Sequence, residues 1–240
     1  MLSKATVKYI QSLQHKKFRD EEGLFVAEGP KLVQELLLGK TFTCRNLYAL
    51  KTWSNPTGIP AELLEDFELE KISSLSTPNQ VLAVFEKKAV DRSPSLKNKI
   101  SLVLDDIQDP GNLGTIIRIA DWFNVENIFC SLHTADMYNN KVVQSTMASL
   151  QRINMVYRDL AEWLQEFKEV PTFAATLHGE PLQAVSKLEE GILIIGNESK
   201  GISPELMQLA RRKITIPRFG DAESLNAAVA AGIILYEIKR

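Results

Sequence analysis

Three short stretches of the 240-residue chain carry polar side chains that a plain turn would not need. They are Asp109-Pro110-Gly111-Asn112-Leu113-Gly114 running on to Arg118, Gly196-Asn197-Glu198-Ser199-Lys200-Gly201, and Ile216-Pro217 followed by Ser224-Leu225-Asn226. Each lies where an apolar run gives way to glycine, proline and small polar residues. Loops held by a rigid sheet are where function concentrates, so three of them in one half of a chain point to a single cofactor pocket. Gly111 and Gly114 let the backbone approach a ligand or fold tightly, and Arg118 lies one helical turn past Gly114, where it can point back over the loop. Glu198 follows the apolar run 192–195, at the carboxyl edge of the sheet where open α/β folds bind ligands. Each feature has a plain counterpart: a Pro-Gly-Asn turn, a solvent-facing Arg118, a Glu198 that caps a helix or pairs with Lys200, an Asn226 that caps the Ala-rich helix after it. Two nucleotide-binding patterns are absent from the sequence, since no Gly-x-Gly-x-x-Gly occurs and no Gly-Lys-Ser/Thr closes the first loop.

The elements that must hold these stretches can be read from periodicity. Residues 100–104, 127–130, 172–177, 191–195 and 213–216 are predicted strands. Residues 115–123, 141–150, 161–167, 204–210 and 222–238 are predicted helices. Continuous apolar strands alternating with helices imply a mostly parallel sheet covered on both faces. The first part of the chain predicts a helix over 6–13, a strand over 24–29, a helix over 31–38 with Pro30 at its first position, and strands over 47–50 and 81–85, the order of a small α/β domain. The polar stretch Asp91-Arg92-Ser93-Pro94-Ser95-Leu96-Lys97-Asn98 reads as a linker, so the expected domains are 1–92 and 99–240.

Composition sets outer limits. A chain 45% hydrophobic and 24% charged is that of an ordered globular protein, and a formal net charge of -2 supplies no global basic field for nucleic acid. Cys44 and Cys130 form neither a C-x-x-C nor a Cys/His cluster, so no metal site and no disulfide framework is expected. The N-terminus lacks a signal-peptide core and no apolar run is long enough to span a bilayer. A cytoplasmic protein is expected. A local basic cluster does exist: Lys4, Lys8, Lys16, Lys17 and Arg19 precede the first acidic residue, with Phe18 among them.

The stretches 109–118, 196–202 and 216–230 resemble, in order and spacing, the three motifs of the SpoU (TrmH-type) 2′-O-ribose RNA methyltransferases. Phe25-Val26-Ala27-Glu28-Gly29 resembles the front of that family's L30e-like substrate-binding domain. The resemblance implies a SPOUT fold, an α/β sheet with a deep C-terminal trefoil knot. It implies S-adenosylmethionine held by Thr176, Leu177, Gly196, Asn197, Gly201, Ile216, Leu225 and Asn226, and a homodimer with sites near the subunit interface. The reaction would be methyl transfer to a ribose 2′-hydroxyl of structured RNA, ribosomal RNA rather than transfer RNA. Arg118 would grip the phosphate beside the target and stabilise a developing alkoxide, because a guanidinium stays protonated and is a poor base. Asn112 and Glu198 would orient it, and Ser224 and Asn226 would position the ribose or the cofactor's carboxylate. Lys4, Lys8, Lys16, Lys17 and Arg19 would bind RNA phosphates. The chain departs from the family pattern at Asn79, Gln144, Ala148 and Ala228. Two other classes share parts of this pattern: a non-catalytic RNA-binding dimer that keeps the knot, and a nucleotide-cofactor oxidoreductase, which the missing glycine fingerprint disfavours.

Overall fold

A computed structural model describes residues 1–55, 57–185 and 187–240. In chain order the elements begin with α1 (Lys4–Ser12), α2 (Lys16–Glu22), β1 (Leu24–Glu28), α3 (Pro30–Gly39), β2 (Cys44–Leu50), β3 (Glu62–Leu64), α4 (Asp66–Ile72) and β4 (Val81–Glu86). There follow β5 (Ile100–Asp105), α5 (Pro110–Trp122), β6 (Asn127–Cys130), α6 (Asn140–Thr146), β7 (Asn154–Tyr157), α7 (Leu160–Glu166) and β8 (Thr172–Pro181). The last elements are β9 (Gly191–Gly196), α8 (Pro204–Leu209), β10 (Arg212–Thr215) and α9 (Ala227–Lys239).

These elements form two compact units. One holds residues 1–89 with 136–151, the other 90–135 with 152–240. A single cut in the 91–98 stretch therefore does not describe the packing: a segment from the second half of the sequence folds into the first unit. Aromatic contacts explain why. Tyr138 lies with its ring centroid 4.9 Å from that of Phe25, and Phe25 in turn lies 5.0 Å from Phe42 and 5.6 Å from Phe85. Nor is the 91–98 stretch a free tether, because Leu96 is buried in the core of the second unit beside Val103 and Trp163.

In the first unit a four-stranded sheet has the order β1-β4-β2-β3, antiparallel except for the β2–β3 pair. Every residue of β1 is buried. Its alternate side chains serve two faces, with Phe25 in the aromatic group and Val26 in a cluster with Ile10, Leu13, Tyr48, Leu69 and Leu82. Arg19 belongs to this interior, only 1% exposed. Its Nη1 donates to the carbonyls of Leu13 (3.0 Å) and Gln14 (2.7 Å), and its Nη2 donates to Oδ2 of Asp136 at 2.6 Å. The expected role of Arg19 in gripping RNA is thus corrected: its donors are spent inside the fold.

The second unit contains a six-stranded sheet, order β10-β8-β9-β5-β6-β7, parallel at every pairing. Phe129 stacks on Trp163 of α7 at 3.9 Å, in a cluster that includes Val103, Ile192, Ile194 and Leu206 of α8. Alternation along β5 and β9 turns Leu102, Leu104, Leu193 and Ile195 to the opposite face, and α9 packs against both β9 and α5. Three helix boundaries differ from expectation. α5 starts at Pro110, because Asp109 caps it by accepting from the Asn112 N–H, so Asn112 lies on the helix rather than in a loop. α9 starts only at Ala227, where Asn226 Oδ1 accepts from Ala228 and Val229. The helix expected over 141–150 stops at Thr146, as Met147 and Ala148 take left-handed φ of 48° and 71°, a conformation that favours glycine.

Candidate active site

The middle of β8, the carboxyl end of β9, and β10 with the segment after it surround a cavity of about 720 Å³ in the second unit. Its lining brings together Thr176, Leu177, Gly196, Asn197, Glu198, Gly201, Ile216, Ser224 and Leu225, drawn from sequence positions up to 49 apart. Its deeper wall is apolar, with Ile195, Ile202, Ile214 and Ile234 all buried.

The 196–201 loop is built to bring backbone to this cavity. Asn197 and Gly201 bond to one another reciprocally, N to O, at 3.1 and 2.8 Å. Asn197 Oδ1 accepts from the N–H groups of Ser199 (2.9 Å) and Lys200 (3.1 Å), and its Nδ2 donates to the Asp106 carbonyl at 2.8 Å. Asn197 therefore shapes the loop; its amide is used within the protein. Lys200 reaches across to Asp106 at 3.0 Å. Burial alone would raise the Asp106 carboxyl, but hydrogen bonds from Lys200 and Gln108 outweigh it and hold the group below its ordinary range. Asp105 Oδ2 accepts from the Ser203 N–H at 2.7 Å. These two aspartates anchor the loop, and sequence reading passed over them; the signal was an Asp-Asp pair at the end of an apolar strand.

Gly196 is fixed by contact. A Cβ there would stand 2.4 Å from the Gly201 carbonyl carbon and the Ile202 nitrogen, both backbone atoms that no rotamer change can move. Gly196→Ala is expected to weaken binding of the S-adenosyl ligand that the motif resemblance implies by about 10- to 100-fold, since overpacking of this kind costs roughly 1–3 kcal/mol. Gly220, also on the lining, would meet nothing within 4 Å, so Gly220→Ala is the control and calorimetry reads both.

Three expected residues are not on the lining. Asn112 and Asn226 stand behind it in a relay: Asn226 Nδ2 donates to Asn112 Oδ1 at 2.8 Å, and Asn112 Nδ2 donates to Glu198 Oε1. One residue from each of the three motifs thus joins a single network that ends on a carboxylate at the cavity. Arg118 is not brought in. It is exposed on α5, and among the described residues it has no hydrogen-bond or ion-pair partner. It shares an exposed strip of α5 with Thr115 and Trp122, the latter 84% exposed.

The sequence profile of the SpoU rRNA Methylase family matches residues 99–236, and that of the MRM3-like substrate binding domain matches residues 4–83. The chain belongs to the SpoU rRNA methylase family. It is 33% identical over 243 residues to the 23S rRNA (guanosine(2553)-2′-O)-methyltransferase RlmP of Bacillus subtilis, covering 97% of this chain and 95% of that one. Among solved structures, a TrmH-family protein from Porphyromonas gingivalis superposes with a TM-score of 0.88 at 36% identity, over 100% of this chain and 98% of the other. The SpoU methyltransferase AviRb of Streptomyces viridochromogenes in complex with AdoMet gives 0.86 at 26% identity, over 98% and 97%. The SpoU match ends close to the C-terminus, so it spans all three motifs and the cavity they line, and the α/β fold with its parallel sheet is that of the family. No helix among the described residues is long and apolar enough to cross a membrane.

Proposed function

We infer that this protein transfers a methyl group from S-adenosylmethionine to a ribose 2′-hydroxyl of ribosomal RNA. The observation that carries the reading is the Asn226–Asn112–Glu198 relay at the rim of a cavity lined by the second and third motifs. The relatives support the choice of substrate and donor: RlmP is named for 23S rRNA 2′-O-methylation, and AviRb holds AdoMet. The cavity fits such a donor by chemistry. Its volume lies in the range of roughly 300–1,000 Å³ usual for small-ligand sites, it has buried aliphatic walls for an adenine, and the tight 196–201 loop presents backbone polar groups. Thr176, Leu177, Gly196, Gly201, Ile216 and Leu225 would hold it, with Asn197 acting as the shaper of their loop.

The sulfonium donor supplies a methyl group that is already strongly electrophilic. What the chain must add is alignment and charge control at the ribose oxygen. Glu198, oriented by Asn112 and through it by Asn226, is a fixed acceptor at the rim, and Ser224 is a hydroxyl beside it. Arg118 supplies the positive charge, gripping a phosphate and stabilising the developing alkoxide.

Arg118 lies off the lining of its own chain, which favours a site completed by a second copy. The homodimer reading rests on an exposed apolar strip: Val229, Ile233 and Tyr236 recur on one side of α9, with Leu225 before them and Trp122 on the adjoining α5. Such a strip on neighbouring helices suits an isologous interface. The knotted C-terminus belongs to the same reading; it is supported by the close approach of β10 to β8 at their register shift, where a Cβ on Gly179 would sit 2.5 Å from the Lys213 carbonyl oxygen. A cytoplasmic location belongs to the same reading.

The first unit, with residues 136–151 added, is the proposed RNA-binding unit. Lys16 and Lys17 pair with Asp20 at 2.7 Å and Glu21 at 3.9 Å, whereas Lys4 and Lys8 are exposed. Removing Lys4, Lys8, Lys16 and Lys17 together is expected to make RNA binding less salt-dependent by about two phosphate contacts, each worth roughly 0.7–0.9 in the log–log slope, with donor affinity unchanged. An unaltered slope in filter binding would place the RNA elsewhere.

The test of the whole reading is twofold. Calorimetry should show one S-adenosylmethionine bound per chain, which a non-catalytic RNA-binding dimer would not need. Mapping of 2′-O-methyl positions in rRNA with and without the gene should show one position that depends on it.

A further inference from the structure

We propose that Phe219 is a substrate-contacting residue, stacking on a base of the RNA strand next to the target ribose, with Arg218 on the neighbouring phosphate. This rests on the methyltransferase reading above and names how the same cavity receives its substrate. Phe219 is the most exposed aromatic ring among the described residues, 97% exposed, yet it belongs to the lining of the donor cavity. A ring so exposed adds almost nothing to folding, because hydrophobic stabilisation scales with area removed from water. At this exposure almost none of the ring is covered by protein, so its face is open to a partner. The aliphatic surface an adenine needs is already present beneath it, in Ile195, Ile202 and Ile234.

The position of Phe219 decides what meets it. The target ribose must reach the donor through the cavity mouth, and the 217–223 segment forms part of that mouth. A strand entering there presents unpaired bases, for which an exposed aromatic is the sequence-tolerant partner. Arg218 is exposed beside it, its guanidinium held among the described residues by a long 3.4 Å hydrogen bond to the Ala222 carbonyl, so the group is available for a phosphate. Asp221 and Glu223 in the same segment are exposed acids; they confine the phosphate to the Arg218 end of the loop, where the like-charge cost is smallest.

The experiment compares Phe219→Ala, Phe219→Trp and Arg218→Gln with the wild type. It measures KM and kcat on large-subunit rRNA transcribed in vitro, S-adenosylhomocysteine affinity by calorimetry, and oligomeric mass by light scattering. The expected result is a KM for RNA raised about tenfold in Phe219→Ala, restored in Phe219→Trp, and raised several-fold in Arg218→Gln, with donor affinity and mass unchanged in all three. A tenfold loss of S-adenosylhomocysteine affinity in Phe219→Ala would make the ring a cover for the donor and overturn the proposal. A fall in mass would make it a subunit contact, with the same consequence. An unchanged KM would overturn it outright. A wild type that methylates no rRNA while still binding donor defeats the substrate reading instead, and the two failures are thereby told apart.

Discussion

Arg118→Ala is expected to lower methyl transfer by about 10²–10³-fold, the usual loss when one group that stabilises developing negative charge is removed, while leaving donor affinity within a factor of two or so of wild type. The two halves of the expectation have separate grounds. The loss follows from the chemistry: a ribose hydroxyl becomes nucleophilic only as negative charge gathers on its oxygen, and of the other cations in the three motifs Lys200 is tied to Asp106 at 3.0 Å and Arg218 is assigned to the neighbouring phosphate. The unchanged affinity follows from geometry, because Arg118 lies outside the cavity lining and on an exposed strip of α5. A mixing experiment sharpens this. If Arg118 completes the cavity of a second copy, combining Arg118→Ala with Gly196→Ala subunits should restore about a quarter of wild-type activity, because half the random dimers are mixed and each mixed dimer keeps one intact site of two. No recovery on mixing would confine each site to one chain. Equal loss of transfer and donor binding in Arg118→Ala would instead make the residue structural.

The largest stability effect is expected at Arg19. Arg19→Ala should destabilise the first unit by about 3–5 kcal/mol, the range for breaking a buried ion pair by removing one partner. The deletion strands the Asp136 carboxylate, which is only slightly exposed, and orphans the carbonyls of Leu13 and Gln14. It also removes one of the attachments of the 136–151 segment, which is held besides by Tyr138 and its ring neighbours, by Lys88 Nζ donating to the Leu150 and Gln151 carbonyls, and by Asn140 on Ser74. Because burying two charges is itself costly, an apolar replacement of both partners should recover much of the loss; an Arg19→Met, Asp136→Leu double variant tests that by urea denaturation. A stable Arg19→Ala protein with weakened, less salt-dependent RNA binding would return Arg19 to the RNA-contact set and refute the structural assignment.

Arg19 and Arg118 also mark where sequence stopped being informative. By charge and neighbours Arg19 is one more member of a basic run, and nothing local says that its partner stands 117 positions away. Arg118 was identified by its motif, but whether it enters its own cavity depends on helix phase, and α5 begins at Pro110 because of a cap on Asp109 that moves Asn112 onto the helix. The same capping logic starts α9 at Ala227 rather than near Ala222, since the Asn226 side chain that bonds Ala228 and Val229 fixes the first turn.

What the sequence determined by itself was local and periodic: the alternation of apolar strands with helices, the glycine and asparagine punctuation of three strand ends, and hence a parallel α/β sheet with its motifs at one edge. Those properties are legible because each depends on residues within a turn or a strand of one another. The tertiary structure alone decided that Asn226, Asn112 and Glu198 form one relay, that Asn197 builds the loop, that Arg19 is interior, and that residues 136–151 fold into the first unit. Each of those is a contact between positions far apart in the chain, set by packing and by the need of every buried polar group for a partner, and neither requirement leaves a periodic trace in the sequence.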